Sequence, residues 1–241
     1  MNLKFPKYKG FFITGTDTGV GKTLIAGAIA KILRQSGKKV GVFKPVATGC
    51  KKTKNGLVSE DARFLAHCAE SEFGLDIINP AAFEIPAAPL ACEKVENKKV
   101  DLEKISSAYK QICQKSNLVI VEGIGGIRVP ITDGLDVLGL AKAFSLPVII
   151  VAKAKLGTIN HTLLTIDAVR RAGLSLAGVI INGYDEATKD LAEKTNAAII
   201  KEVGKVKIIA TVPFDDKTNI EKCVIGQKVI KALQNTDWLK I

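Results

Sequence analysis

The chain has 241 residues, of which 47% are hydrophobic and 24% charged, a composition typical of a globular protein long enough to bury a large core. Its apolar runs are too short to cross a bilayer, its N-terminus lacks a secretory signal, and its five cysteines are scattered without a CxxC pair. We therefore expect a cytoplasmic protein with reduced thiols and no membrane partner. The net charge of +11 comes from lysines spread along the chain and aromatic residues make up only 5%, which argues against a nucleic-acid-binding surface.

Short apolar runs alternate with longer amphipathic stretches throughout the chain. Near-continuous apolar runs indicate parallel strands that are covered on both faces, and the alternation predicts βαβ units. We therefore expect one α/β domain over residues 1–241, with a mostly parallel central β-sheet and helices on both faces. The predicted strands are Gly10–Thr14, Val40–Lys44, Leu118–Val121, Pro147–Val151, Ala177–Asn182 and Lys207–Thr211. The predicted helices are Lys22–Gln35, Ser59–Cys68, Leu102–Lys115, Val137–Phe144, Thr162–Arg171, Ala187–Ala197 and Gly226–Leu233, and the proline-containing stretch 74–100 is predicted to be an irregular excursion beside the ligand site.

A glycine-rich turn, Gly15–Thr23, follows the first predicted strand and leads directly into a helix. It departs from the GxxxxGK[ST] pattern because five residues, not four, separate Gly15 from Gly21. The strand–turn–helix context still indicates a P-loop NTPase, because backbone N–H groups and the helix dipole favour a phosphate at this point. Lys22 is expected to reach the β- and γ-phosphates, and the Thr23 hydroxyl to bind Mg²⁺.

Charged residues follow the next strands or open the next helix. Lys44, at the carboxyl end of a parallel strand, is expected to face the ligand crevice, and the alternative is a strand-end lysine that extends into solvent. Glu122 directly follows an apolar strand, where an acidic metal ligand is expected. Asp61 lies at the start of a helix, where an acidic residue can simply complement the helix dipole.

Four segments, in order along the chain, resemble those of dethiobiotin synthetases: Gly15–Thr23, Lys44–Gly49 (KPVATG), Val121–Gly126 (VEGIGG) and Lys155–His161 (KLGTINH). Weaker similarity continues to about residue 214, and the part from Asp216 has no match. The resemblance implies an ATP- and Mg²⁺-dependent enzyme of biotin biosynthesis. That family converts 7,8-diaminopelargonic acid and CO₂ into dethiobiotin, ADP and phosphate through a carbamate and a carbamic–phosphoric anhydride.

The resemblance also implies roles for individual residues. Lys44 and Lys22 would be catalytic, and Thr23, Asp61 and Glu122 would hold Mg²⁺, with Glu60 as a competing neighbour of Asp61. Substrate would be bound by Thr16, Thr48, Gly157 and Asn160. The nucleotide would be bound by Gly19, Val20, Gly21, Lys22, Thr23, Leu24, Asp61, Glu122, Gly123, Ile124, Gly125, Asn182, Gly183, Pro213, Phe214 and Asp215.

One of these implied roles has an alternative interpretation, and another requires a second subunit. Asn182 would read the adenine, although an Asn-Gly pair equally suits a tight turn. The segment with Gly157 and Asn160 would come from the neighbouring subunit and hold the substrate carboxylate, which implies a homodimer. His161 is assigned no proton transfer.

Two other functions of P-loop proteins agree less well with the sequence. A cobyrinic-acid-diamide-synthase-like amide ligase would normally carry a glutaminase domain, for which no catalytic Cys–His arrangement is visible. A partition-type switch ATPase would normally carry a signature lysine early in the loop, where this chain has Asp17. Two departures from the resembled family are Gly19, where some relatives have an acidic residue, and Ile127-Arg128, which replaces aromatic residues.

Overall fold

The computed structural model describes residues 5–54 and 56–241. Six of its strands form one sheet in the order β12-β11-β10-β1-β7-β2, and every neighbouring pair in it is parallel. These six strands are the six predicted ones, so the parallel α/β fold is confirmed. The strands are β1 (Gly10–Gly15), β2 (Val40–Phe43), β3 (Val46–Ala47), β4 (Lys51–Thr53), β5 (Gly56–Val58), β6 (Ala81–Ala82), β7 (Leu118–Gly126), β8 (Pro130–Thr132), β9 (Leu135–Asp136), β10 (Val148–Lys153), β11 (Leu176–Tyr184) and β12 (Ile208–Pro213).

The helices agree with prediction where the apolar pattern is strong. Three of them have the predicted bounds, namely α1 (Lys22–Gln35), α5 (Leu102–Lys115) and α6 (Val137–Phe144). The others are α2 (Glu60–Cys68), α3 (Leu75–Ile78), α4 (Pro89–Val95), α7 (Thr158–Arg171), α8 (Leu191–Gly204) and α9 (Gln227–Gln234). Among the described residues, no helix is both long enough and apolar enough to cross a membrane.

Two predicted helices are present, but they begin at residues other than those predicted. The helix predicted from Thr162 begins at Thr158, because Gly157 in the left-handed region starts it and its first turn is polar on the exposed side. The helix predicted over Ala187–Ala197 is α8, which begins after the Asp190 cap, where the side chain accepts hydrogen bonds from the N–H groups of Ala192 and Glu193. In both cases the helix begins directly after its N-cap residue, Gly157 or Asp190, and not where the apolar pattern begins.

Both faces of the central sheet are buried. Alternate residues of β1 supply the two cores, with Phe12 on one face and Ile13 on the other. The Phe12 face is filled by a cluster of rings in which Tyr109 meets Phe144 with a centroid separation of 4.7 Å. Packing on both faces fixes the strands, so groups at their carboxyl ends are carried on a rigid frame.

The excursion 74–100 is more regular than predicted. It contains α3, β6 and α4, and β6 pairs with β3 in parallel register, Val46 with Ala81 and Ala47 with Ala82. Backbone hydrogen bonds between the two segments continue beyond this pair of strands, because the Phe83 N–H donates to the Ala47 carbonyl and the Cys50 N–H donates to the Phe83 carbonyl. The excursion therefore runs alongside the chain that leaves β2, beside the carboxyl end of the sheet.

Candidate active site

A cleft of about 630 Å³ opens at the carboxyl end of the central sheet, between the phosphate loop and the excursion. Ligands of open parallel α/β sheets bind in this position, outside the carboxyl ends of the strands. The predicted site residues that line it are Gly19, Gly21, Lys22, Thr23, Leu24, Lys44, Thr48, Asp61, Glu122, Ile124 and Gly125.

The phosphate loop presents backbone donors to this cleft. Gly21, with φ of 95°, lies in the left-handed region that glycine adopts without strain, and it turns the chain into α1. No side chain of the described residues caps α1, so the N–H groups of its first turn face the cleft uncapped. Such an uncapped helix start, at the positive end of the helix dipole, is suited to a phosphate.

Lys22 lies folded against its own loop. Its Nζ donates a hydrogen bond to the Asp17 carbonyl at 2.9 Å, and the side chain is buried. Burial, together with the nearby charge of Lys44, lowers the pKa of Lys22 to about 8. A negative group brought to this loop would therefore meet an ammonium whose charge is poorly compensated.

Lys44 lies at the centre of a buried ionic cluster. Its Nζ is 2.7 Å from Asp61 Oδ2, 2.7 Å from Glu122 Oε1 and 3.1 Å from the Gly123 carbonyl. Burial alone would lower the pKa of Lys44, but the two carboxylates outweigh it and raise the pKa above the ordinary value, which keeps the ammonium charged. The alternative of a strand-end lysine extending into solvent is wrong, because the side chain is only 2% exposed.

The carboxylates of the cluster have different environments. Burial raises the pKa of Glu122, which is fully enclosed on β7. Burial would also raise the pKa of Asp61, but the contact with Lys44 outweighs it and lowers the pKa. Asp61 sits in the first turn of α2, whose cap is Ser59, while Glu60 turns outward to pair with Lys51. Of these two neighbours, Asp61 is the one that joins the cluster.

The cluster offers oxygen ligands to a hard cation. Glu122 Oε2 is buried and has no hydrogen-bond partner in the described part of the chain, while Glu122 Oε1 accepts a hydrogen bond from the Thr23 hydroxyl at 2.8 Å. A buried carboxylate oxygen without a partner is costly unless something else binds it. Among residues 5–54 and 56–241, no three His, Cys, Asp or Glu side chains form a metal cage. Mg²⁺ commonly uses one or two carboxylates together with phosphate oxygens and water, so Thr23, Asp61 and Glu122 fit it.

Asn182, at the end of β11, lies directly behind the phosphate loop. Its Nδ2 donates to the Val20 carbonyl at 2.9 Å, and a Cβ on Gly21 would come within 2.1 Å of the same nitrogen. Gly21 is therefore required twice, for its φ and for this close approach. Asn182 and the following Gly183, with φ of 77°, do not line the cleft itself.

The segment after β12 holds a turn together. The Asp215 carboxylate accepts hydrogen bonds from the N–H groups of Lys228 and Lys217, and these bonds lower the pKa of Asp215. Pro213 ends β12, and Phe214 is 67% exposed. Binding of nucleotide by these three residues stays a prediction.

The remaining predicted residues lie away from the cleft or behind it. Gly157 and Asn160 are exposed at the start of α7, and neither lines the cleft of its own chain. The loop before them is held by α8, because Asn196 Nδ2 donates to the Ala154 carbonyl at 2.8 Å and Glu193 pairs with Lys155 at 3.0 Å. Thr16, Val20 and Gly123 also lie outside the lining.

Several lining residues were not predicted. Thr18, Ala47, Val129 and the stretch 86–89 contribute to the walls, and Ile220 reaches the cleft from the segment after Asp216. The prolines at 86 and 89 were a usable signal, since they marked the excursion as a ligand-side segment. Ile220 gave no signal, because a single apolar residue in a loop has no distinguishing pattern.

The chain is similar to known proteins in sequence and in fold. A family model described as "AAA domain" matches residues 9–222. The chain is 40% identical over 229 residues to the ATP-dependent dethiobiotin synthetase BioD of Thermodesulfovibrio yellowstonii, covering 92% of this chain and 95% of that protein. It is 40% identical over 205 residues to the protein of the same name from Bacillus subtilis strain 168, covering 85% of this chain and 87% of that protein.

A solved structure of a ParA family ATPase from Chlorobium tepidum TLS superposes with a TM-score of 0.58 at 15% identity, covering 97% of this chain and 98% of that chain. At this identity the likeness concerns the fold alone. The two BioD relatives, by contrast, match in sequence over nearly their full length. The chain therefore belongs to the ATP-dependent dethiobiotin synthetase family.

Proposed function

We propose that this chain closes a cyclic urea, converting 7,8-diaminopelargonic acid, CO₂ and ATP into dethiobiotin, ADP and phosphate. Membership of the family supports the reaction. The observation that carries the mechanism is the Lys44 ammonium, held 2.7 Å from each of two carboxylates beside the phosphate loop. This arrangement suits the transfer of a phosphoryl group to an anionic acceptor.

The first chemical problem is a poor electrophile. CO₂ and one neutral amine of the substrate give a carbamate, with release of one proton to solvent, and the carbonyl carbon of the carbamate resists attack by the second amine. In the proposed reaction a carbamate oxygen forms a bond to the γ-phosphorus, and the bond from that phosphorus to its bridging oxygen breaks as ADP leaves. Lys22 from the loop and Lys44 from the end of β2 bring two ammonium groups toward the reacting oxygens, and they lower the barrier by stabilising the charge that spreads over them.

The second step is ring closure. The free amine attacks the carbonyl carbon of the carbamic–phosphoric anhydride, the carbon–oxygen bond to phosphate breaks, and the nitrogen loses a proton. In this step the protein holds the amine and the anhydride close together, because the phosphate loop and the excursion both line one cleft. When bound by Thr23, Asp61 and Glu122, Mg²⁺ would supply charge neutralisation for the phosphate oxygens.

We further propose that the enzyme is a cytoplasmic homodimer in which Gly157 and Asn160 of one subunit complete the substrate site of the other. Their exposure, and their separation from the cleft of their own chain, support a role in trans. The start of α7 carries no side-chain cap within the described chain, which suits a carboxylate ligand. All five cysteines are free thiols, which fits a reducing compartment.

The proposal is tested by measuring dethiobiotin and ADP formed from the diamine, bicarbonate and Mg-ATP. We expect Lys44→Ala to lower turnover by about a hundred-fold or more while the fold is retained, because one group that stabilises the reacting charge is lost.

Lys201→Ala is the control, since Lys201 is an exposed lysine of α8 that does not line the cleft. It should keep wild-type turnover. A wild-type protein that forms no dethiobiotin, or a Lys44→Ala variant with unchanged turnover, would contradict the proposal.

A further inference from the structure

Lys44 leaves the central sheet as soon as β2 ends. The last residue of β2 that pairs with β7 is Phe43, opposite Val121, so the ladder does not hold the Lys44 peptide. Pro45 follows and has no N–H to donate. The ammonium is nevertheless held at 2.7 Å from each of two carboxylates, which requires a backbone that is fixed by something other than the sheet.

Two residues of the excursion hold both polar backbone groups of Lys44. The Lys44 N–H donates to the Ile78 carbonyl at 2.8 Å. The side-chain amide of Asn79 donates to the Lys44 carbonyl at 2.7 Å and to the Ala81 carbonyl at 3.2 Å. Asn79 is only 7% exposed, so these bonds form away from competing water.

We propose that Asn79 is a positioning residue for Lys44, whose amide fixes the Lys44 peptide so that the ammonium stays against Asp61 and Glu122. Asn79 does not line the cleft, and we assign its effect on the reaction to its contact with the Lys44 carbonyl. The kinetic consequence rests on the proposed function, in which the Lys44 ammonium stabilises the transferring phosphoryl group. Without the amide, the Lys44 carbonyl loses its buried donor and the peptide can shift.

Asn196 provides a matched control elsewhere in the fold. It is also buried, at 1% exposure, and its Nδ2 also donates to two carbonyls, those of Ala154 at 2.8 Å and Lys155 at 3.3 Å. The two asparagines therefore make equivalent hydrogen bonds, each to two backbone carbonyls, but of the two only Asn79 contacts Lys44. Any general loss of stability should be similar for both.

The test is a double-mutant cycle with Asn79→Leu and Asn196→Leu, each made in the wild type and in Lys44→Ala. Leucine keeps the number and branching of the side-chain heavy atoms and replaces the amide oxygen and nitrogen by two methyl groups. In the wild type we expect Asn79→Leu to lower kcat about ten- to a hundred-fold with little change in the KM for ATP, as for a misplaced catalytic group. In Lys44→Ala, measured under single-turnover conditions, the same change should cost less than about two-fold.

Asn196→Leu should instead change turnover by the same factor in both backgrounds, whatever that factor is. If Asn79→Leu also costs the same factor in both backgrounds, or lowers the melting temperature without changing kcat, the proposal is overturned. Either result would leave the dethiobiotin assay of the wild type, and hence the proposed function, unaffected.

A readout that needs no turnover separates the two proposals further. The exchange of the Lys44 ammonium protons with solvent, followed by nitrogen-15 NMR, reports how tightly the buried ammonium is held. We expect Asn79→Leu to accelerate this exchange about ten-fold or more and Asn196→Leu to leave it unchanged. Unchanged exchange in Asn79→Leu would overturn the positioning role even if the wild type makes no dethiobiotin.

Discussion

Two lysines of the same cleft have opposite electrostatic environments. Lys44 has two carboxylates within 2.7 Å, which raise its pKa against the effect of burial. Within residues 5–54 and 56–241, Lys22 Nζ has one hydrogen-bond acceptor, the Asp17 carbonyl, and burial together with repulsion from Lys44 lowers the pKa of Lys22 to about 8. Near pH 8 the Lys44 ammonium therefore stays charged, whereas the charge of the Lys22 ammonium changes with pH.

This difference predicts a pH dependence of nucleotide binding. The free enzyme loses the Lys22 proton as the pH rises through about 8, while a bound phosphate restores the charge and raises the pKa. Affinity for ADP should therefore be constant well below pH 8 and fall as the pH rises above it, with proton uptake on binding. Calorimetry in buffers of different ionisation enthalpy measures both quantities. Lys22→Met should bind more weakly and lose this pH dependence, and a wild-type affinity that is flat from pH 7 to 9.5 would contradict the assignment.

At the level of elements, α2 connects a helix cap to the ionic cluster. The Ser59 hydroxyl accepts a hydrogen bond from the Ala62 N–H at 3.2 Å, and Asp61 lies within the first turn that this bond fixes. We expect Ser59→Ala to cost about 1 kcal/mol of unfolding free energy and to raise the Mg²⁺ concentration needed for half-maximal turnover. The cause is a looser first turn, which holds the Asp61 carboxylate less firmly.

Asp190→Ala is the control for this prediction, because it removes the cap of α8, a helix that does not line the cleft. Thermal unfolding should show a similar loss of stability for both variants. The Mg²⁺ titration should change for Ser59→Ala alone, and an equal change in both would mean that the cap acts only through general stability.

How far the elements could be predicted depended on the kind of information in each segment. The α5 segment carries its buried residues at helical spacing, namely Ile105, Ala108, Tyr109, Ile112 and Cys113, and Asp101 caps its start. Its predicted bounds were confirmed. The excursion could not be predicted in detail, since β6 is only two residues long and is held by long-range pairing with β3. Asn79 shows the same limit, because an asparagine before a proline looks like a turn residue until the fold brings it to Lys44.

The site shows the same division. The phosphate-binding role of Gly15–Thr23 could be predicted from the local sequence, since the strand, the turn and the helix that define it are adjacent in sequence. The Lys44–Glu122 contact joins residues 78 positions apart and depends on β2 and β7 being neighbours, which strand patterns alone do not fix. Whether Asp61 or Glu60 meets Lys44 was decided by the orientation of one helical turn, and the sequence left both open.

At the level of the whole molecule, the proposed dimer predicts complementation between inactive subunits. Lys44→Ala damages a chain's own site, whereas Asn160→Ala would damage the site of its partner. In a mixed dimer one of the two sites would therefore contain both native residues. Co-refolding equal amounts should restore about a quarter of wild-type turnover, because half of randomly paired dimers are mixed and each has one intact site.

Mixing either variant with itself is the control and should restore nothing. Activity that stays at the level of the separate variants would mean that Asn160 serves its own chain or no site at all. Light scattering on the wild type checks the premise, which requires a mass of twice the 25.7 kDa chain.

The contact between Asn182 and Val20 has a consequence for which nucleotide is accepted. The amide group has two hydrogens, and the bond to the Val20 carbonyl uses one of them. One hydrogen and one oxygen then remain to face a purine. The outer edge of adenine presents one donor and one acceptor, whereas that of guanine presents two acceptors. With Asn182 as the base-reading residue, the protein should accept ATP and discriminate against GTP by leaving the amide oxygen opposed to O6.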